Sequence, residues 1–443
     1  MKTLLGEKIT IVVFFFVFPL IVVGGMKMAI WLICLCIWLC FVKNFKVAPS
    51  LLMVIFCCLP GGMGDAEIVS VSLLKSIILY NVLYLMPIVT FIIVRKNNKN
   101  YDNKILFWGF LLLLVGLIYS LIYSDRQEFF YVFSFVLICT CSYYLNIYNQ
   151  MNLKAYMDLF DYIYICIFIY AILDTFHRTP YEVIYSDPNQ NIMYLLEFSF
   201  RSKSLLGHPL YLSGVSLFYQ VLLLIRYIYY KKFSWIKEFI CIICILLSVS
   251  RTPIIILLVI VILYILLFRL YKNFSRVFGA FVVVLLFVLL LGLLGLNYVD
   301  MIVNRFDVGS IEHRLGAFQT TMNVLEQFPL GTGNSNLLDY IEKYHLGGQG
   351  YSETFKTMDN FYLTMLSAYS IFSISIFVFL FYFLYRAFKI RQFDEKKGNS
   401  IILLYSIIIF LGFSFNWNGS YALCYFLFGM IGILLKTPKE LEC

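Results

Sequence analysis

Apolar residues along this chain fall in long, nearly unbroken runs separated by short polar intervals, not in the alternation of a half-buried strand. Runs near 20 residues match the hydrocarbon thickness of a bilayer, and shorter ones cross when they are buried or flanked by snorkelling side chains. On this basis the pattern predicts membrane helices at 9–25, 28–42, 47–60, 72–94, 105–123, 129–147, 159–175, 207–229, 238–250, 253–269, 277–296, 359–385, 400–414 and 419–435. These are fourteen runs, an even number, so both termini are expected on one side. Between 238 and 269 the apolar run is split by Ser248-Val249-Ser250-Arg251-Thr252-Pro253. Proline cannot continue a helix without losing a hydrogen bond, and arginine is costly in hydrocarbon, so a tight reversal at one membrane face is expected there. Two polar intervals are long, 176–206 and 297–358, and the longer is expected to be partly helical. Long loops of this kind usually carry function or are disordered. The chain is accordingly divided into 1–206, 207–296, 297–358 and 359–443.

Composition fixes the class as all-α and polytopic. Hydrophobic residues make up 62% and charged residues 13%, about half the charge of a soluble domain, and mean hydropathy is +0.86. The net charge of +9 does not point to nucleic acid, for which no motif is present, because excess Lys and Arg on cytoplasmic loops follows from the positive-inside rule. One set of loops carries Lys43, Arg95, Lys96, Arg226, Lys231, Lys232, Lys237, Arg269, Lys272, Arg386, Lys389, Arg391 and Lys436, while the short loops of the other set hold mainly Lys27 and Arg126. Both termini are therefore expected in the cytoplasm, with 176–206 and 297–358 facing outward. The stretch from Ile9 lacks a small-x-small cleavage site and reads as a retained first helix. Of twelve cysteines, all but Cys443 lie in or beside apolar runs, and the Cys241/Cys244 pair reads as small packing residues within a helix. Few polar residues fall mid-span, whereas ion-coupled transporters place ionisable or broken-helix elements there. The polar chemistry gathers instead at one face.

That face is cationic. The first long loop carries Arg178, Arg201 and Lys203, with His208 opening the next helix; the reversal carries Arg251; the second loop carries Arg305, Arg314, Lys343 and Lys356. Guanidinium is a planar, permanently charged fork suited to phosphate oxygens. Several arginines converging at the outer leaflet would receive a lipid-linked diphosphate, while any one of them has the alternative of pairing with a carboxylate or a phospholipid headgroup. Two groups are candidates for a general base. Asp359 lies at a helix start, where it would also serve as an N-cap, and His345 lies in the loop, where it titrates near neutrality. Gly331 and Gly333 suit a tight turn or a close approach to a ligand. No outward acidic or histidine cluster calls for a metal, so no cofactor is expected.

Three local patterns resemble the Wzy-type O-antigen polymerases and the related O-antigen ligases. They are Arg201-Ser-Lys-Ser-Leu-Leu-Gly207-His208-Pro209; Ser248-Val-Ser250-Arg251-Thr252; and Glu312-His313-Arg314 followed by Phe328-Pro329-Leu330-Gly331-Thr332-Gly333 and then Asp359-Asn360-Phe361-Tyr362-Leu363. The likeness spans roughly residues 195–385. It implies glycan transfer from undecaprenyl diphosphate on the periplasmic face of the inner membrane, with Arg201, Arg251 and Arg314 holding the diphosphate. It also implies a base where the last helix begins, and partners comprising the lipid-linked oligosaccharide, membrane lipids and a chain-length regulator. Where the ligases have His-Asn, this chain has Asp359-Asn360, which weighs toward a polymerase. A ligase acting on the lipid A-core and a lipid-linked oligosaccharide flippase stay as alternatives.

Overall fold

The computed structural model describes residues 103–125, part of 129–143, 153–176, 202–269 except 203, 207 and 249, 309–344 except 335, and 360–435 except 418 and 419. The spans expected at 9–25, 28–42, 47–60, 72–94 and 277–296 lie outside these residues. Regular structure among the described residues is helical, without strands. The helices are α1 (Asn103–Ile122), α2 (Leu153–Phe176), α3 (Pro209–Tyr230), α4 (Trp235–Leu247), α5 (Arg251–Leu267), α6 (Gly309–Gln327), α7 (Leu337–Tyr344), α8 (Phe361–Tyr369), α9 (Ser373–Arg391), α10 (Glu395–Gly412) and α11 (Tyr421–Leu435). Among the described residues, Leu153–Leu173, Pro209–Tyr230 and the run Phe361–Arg391 are long and apolar enough to cross a membrane; Phe107–Ile122, Thr252–Leu267 and Tyr421–Leu435 are shorter apolar helices. The long loop at 297–358 contains two of the helices, α6 and α7.

The chain divides into two compact units, one of residues up to Ser248 together with those from Trp417 onward, the other Val249–Asn416. In the first unit, α2, α3 and α11 meet through aromatic rings. Phe160 of α2 stands edge-on to Phe426 of α11 at 4.7 Å and to Phe218 of α3 at 5.1 Å, and Tyr164 stacks on Tyr219 at 4.0 Å. The Tyr156 hydroxyl donates to the Phe426 carbonyl at 2.8 Å. Hydrocarbon gives helices no reason to associate, so ring packing and interhelical hydrogen bonds of this kind hold them together.

The same three-helix region has an ionic knot where α2 and α4 begin and α3 ends. The Asp161 side chain, 11% exposed, accepts from the Tyr219 hydroxyl at 2.9 Å, from the Arg226 guanidinium at 2.7 Å and from the Lys237 ammonium at 2.5 Å. Arg226 also reaches Asp158 at 3.2 Å, and the Gln220 amide donates to Glu238 at 2.6 Å. Asp161 lies inside the span expected from 159; the structure begins α2 at Leu153 and gives this intramembrane-edge acid two cationic partners and a hydroxyl. Such residues occur in membrane helices when they are paired.

The second unit is built on a pair of antiparallel contacts. The Asn399 amide, near the start of α10, donates to the carbonyl of Leu267, the last residue of α5, at 2.7 Å, and Glu395 faces Arg269 at 3.4 Å. The Tyr405 hydroxyl of α10 donates to the Leu380 carbonyl of α9. The one apolar run expected at 359–385 is a single run in composition but not a single helix. It breaks at Ser370–Phe372, a 3-10 turn in which Ser370 takes φ 45 and ψ −126. A straight helix would hold Tyr362 and Phe377 roughly 22 Å apart along its axis, yet their ring centroids lie 5.9 Å apart. The chain therefore turns sharply at Ser370, and α8 folds back beside α9. Neither proline nor glycine marks the place.

The carboxylate of Asp161 is nearly inaccessible, so leaving its partners unpaired should be expensive. Asp161→Ala is expected to cost about 3–5 kcal/mol of stability, read as a fall in melting temperature in detergent. Asp158→Ala, whose carboxylate is 38% exposed, should cost less than about 1 kcal/mol. Equal shifts would mean that Asp161 does not organise the knot.

Candidate functional site

Two backbone connections lie beside residues singled out in the sequence. The first lies between the end of the 176–206 interval and the end of α4. The backbone N–H of Ser202 donates to the carbonyl of Leu247 at 3.0 Å, while the Ser202 and Ser204 hydroxyls donate to the carbonyls of Ala171 and Ile167 in α2 at 3.1 and 2.7 Å. Leu247 is the last residue of α4, where carbonyls lack intrahelical partners, so the loop N–H fills a vacancy the helix creates. Ser202 follows Arg201, and Arg251 comes four residues after Leu247.

The interruption between α4 and α5 is shorter than the sequence suggested: α4 ends at Leu247, and Arg251 is already the first residue of α5, with Ser250 as its N-cap residue. Pro253 then occupies the first turn, where its missing N–H has no intrahelical partner to lose. In Gly207-His208-Pro209, Pro209 opens α3 with its ring-fixed φ and His208 caps it, its Nδ1 accepting the Leu210 N–H at 3.2 Å. His208 is exposed, and Nδ1 is committed to the cap. Any contact it makes to a ligand falls to Nε2.

The second connection runs from α6 through Phe328–Gly333 to α8. The Thr332 and Gly333 N–H groups donate to the carbonyls of Ser367 and Ala368 at 3.1 and 2.9 Å, and the Ser370 hydroxyl donates to the Pro329 carbonyl at 2.5 Å. These are the carbonyls that the break at Ser370 deprives of helical partners. Gly331 has φ +88, and a Cβ there would sit 2.4 Å from the Ala368 carbonyl oxygen. The glycine is required for the loop to lie against the helix end. Gly333 also has positive φ, at 74. The close approach expected of these glycines is thus made to α8 itself. Above this junction, α6 packs on α8 through a face of small residues, Gly316, Ala317, Thr320, Thr321 and Val324, all buried.

At the other end of α8, the Asn360 side-chain oxygen accepts the N–H groups of Tyr362 and Leu363 at 3.0 and 3.2 Å, an N-cap that satisfies two of the helix's first N–H groups. The Tyr362 hydroxyl donates to the Ile409 carbonyl at 2.8 Å and its ring lies 4.8 Å from Phe413, so α8 begins where α10 ends. Because α5 runs antiparallel to α10, its first residue, Arg251, belongs to that same end of the unit. Arg314 and His313 are in the first two turns of α6, the helix pinned to α8. The side chains of Arg251, His313 and Arg314 lie outside the described residues, as do Arg201, Arg305, His345 and Asp359 entirely.

Sequence reasoning did not find Ser202, Tyr362 or Ser370. Ser202 stands beside Arg201 in a polar interval and Ser370 lies inside the apolar run expected at 359–385, but neither serine carries a signal of a carbonyl waiting for it. Tyr362 reads as one more aromatic in an apolar helix.

Residues 239–378 match the family model Wzy_C, O-antigen ligase. No curated protein and no solved structure matches the chain. The matched segment runs from α4 into α9 and includes Arg251, Arg314, Gly331, Gly333 and Asn360; Arg201 and His208 precede it.

Replacing Gly331 tests the junction. Gly331→Ala adds a left-handed penalty of about 1–2 kcal/mol to a methyl clash with the Ala368 carbonyl. It should lower the melting temperature and open the 328–336 segment to limited proteolysis. Ser370→Ala removes one hydrogen bond, about 1 kcal/mol, and should do less. A Gly331→Ala protein as resistant as the parent would show that the loop does not need this approach.

Proposed function

We propose that this chain, whose residues 239–378 match the O-antigen ligase family model, polymerises a polysaccharide by transferring glycan from undecaprenyl diphosphate to a second lipid-linked repeat unit at the periplasmic face of the inner membrane. The observation that carries the reading is the gathering, at one end of the Val249–Asn416 unit, of the start of α5 with Arg251 and the start of α8 with Asn360, with the helix of Arg314 pinned to α8. The tie between Ser202 and Leu247 holds the end of the 176–206 interval at the end of α4; the part given to Arg201 rests on the resemblance of its motif. α5 and α8 present their N-terminal ends there, where backbone N–H groups and the helix dipole favour anions.

The reaction needs little covalent help from the protein. The acceptor hydroxyl attacks the anomeric carbon, the bond from that carbon to the diphosphate oxygen breaks, and the lipid diphosphate leaves with the bonding electrons. Arg201, Arg251 and Arg314, with Arg305 and His208 at the margin, stabilise the charge that grows on the leaving oxygens. The acceptor proton passes to a base within hydrogen-bond reach, Asp359 or His345. Asn360, held as a cap, offers its NH2 to a sugar or phosphate oxygen. Gly331 and Gly333 act from behind, fixing α6 against α8. No metal or cofactor enters this scheme.

A second reading, ligation of the glycan to lipid A-core, is supported by the description of the matched family, while Asp359 in place of the ligases' histidine favours polymerisation. The transporter alternative gains nothing from that match. Cells lacking the protein distinguish the two enzymes: a polymerase defect leaves single repeat units on the core, and a ligase defect leaves none. Loss of one charge-assisted contact of about 1.5–3 kcal/mol corresponds to about a 10- to 160-fold slower transfer. Arg251→Ala and Arg314→Ala are therefore expected to abolish long chains on a polysaccharide gel, and normal chain lengths in both would remove the diphosphate clamp. Asp359→Asn and His345→Ala should separate the base candidates, with retained polymerisation excluding whichever residue was changed.

A further inference from the structure

The exposed side of α6 is divided in two. At 100° per residue, Phe318, Met322 and Leu325 share a sector of about 60°, while Gln319, Asn323 and Glu326 occupy the next sector round. Phe318 is 50% and Met322 37% exposed, and Gln319 and Glu326 are exposed as well. The third sector is the buried face of small residues against α8. One helix thus presents three faces: a buried one, an exposed apolar one and an exposed polar one.

The apolar sector does not end with the helix. Leu330, in the loop after α6, is 58% exposed, and Pro329 beside it accepts the Ser370 hydroxyl. Across that bond Ile371 is 63%, Phe372 36% and Ile374 55% exposed, at the start of α9. α9 has 19 residues, about 28 Å of helix, close to the roughly 30 Å of a bilayer core. Its far end carries Arg386, Lys389 and Arg391, suited to one headgroup layer. The end at Ser370 accordingly comes out at the opposite headgroup boundary, and the apolar sector of α6 continues the lipid-facing side of α9.

We propose that α6 lies in the membrane–water interface, with Phe318, Met322 and Leu330 inserted among phospholipid acyl chains at the leaflet where α9 begins. A helix with one apolar and one polar sector rests in that plane, its apolar side about 5–10 Å into the boundary region. The helix that bears Arg314 is then held at the depth of lipid headgroup phosphates by the bilayer itself. The proposal does not rest on the glycan-transfer reading; it would hold for any activity of this domain.

The test uses the full chain in vesicles of phosphatidylethanolamine and phosphatidylglycerol, part of the lipid brominated near the headgroup end of its acyl chains. Phe318→Trp and Gln319→Trp each add one tryptophan to the five present, and the parent's emission is subtracted. The added emission at 318 should fall about two-fold with brominated lipid, as expected for insertion to interfacial depth, and Met322→Trp should behave alike. The added emission at 319 should change little. No quenching at 318 and 322, as when another segment or a protein covers the sector, overturns the proposal. Equal quenching at 318 and 319 also does, because the division into sectors would then be meaningless. Polysaccharide length is read separately, so loss of quenching with normal polymer rejects the interfacial helix alone, and intact quenching with active Arg251→Ala and Arg314→Ala proteins rejects the diphosphate clamp alone.

Discussion

A helix that stops at or within a bilayer leaves carbonyl groups that water cannot reach, and this constraint shapes two junctions of the chain. α4 stops at Leu247 and α8 at Tyr369, the second by an abrupt turn with no proline to force it. In both places a backbone N–H from a polar interval supplies the missing donor: Ser202 for Leu247, and Thr332 and Gly333 for Ser367 and Ala368. The polar intervals are thus tied by main-chain hydrogen bonds to the helix ends whose carbonyls they complete. The α6 helix, which leads into Thr332 and Gly333, gains its position against α8 from an obligation of the backbone.

This arrangement explains the glycines and the serine better than substrate contact would. Gly331 is needed because the Ala368 carbonyl occupies the place a side chain would take. Ser370 holds an unfavoured backbone conformation, of the kind that costs about 1–3 kcal/mol, and its hydroxyl spans to Pro329. Sharp turns of this kind persist where surrounding bonds over-determine them.

The helical class and the helix starts near Pro209 and Phe361 were legible in the sequence because they depend on local signals, run length and a proline at a helix start; the cap of α8 is Asn360, not the Asp359 that the sequence suggested. The bend at Ser370 was not, because every residue from Phe361 to Tyr385 is compatible with a straight apolar helix and the bend is fixed by a loop some forty positions away. Arg251 was expected between helices, since a charge and a proline together suggest an interruption; both fit the first turn of a helix, where neither breaks a bond. Asp161 was hidden for a related reason. Its partners come from two other helices, and only their juxtaposition makes an acid tolerable there.

That acid bears on how the chain acquires its orientation. Arg226 and Lys237 count among the basic residues that bias a segment toward the cytoplasm, yet in the finished fold Asp158 and Asp161 cancel them. Synthesis delivers α2 before α3 and α4, and acidic residues weigh little in the sorting rule. Any topogenic influence of Arg226 and Lys237 is therefore exercised during insertion, while they are still uncompensated cations. Once the knot closes, the same two charges cease to be a sorting signal and become mortar between helices.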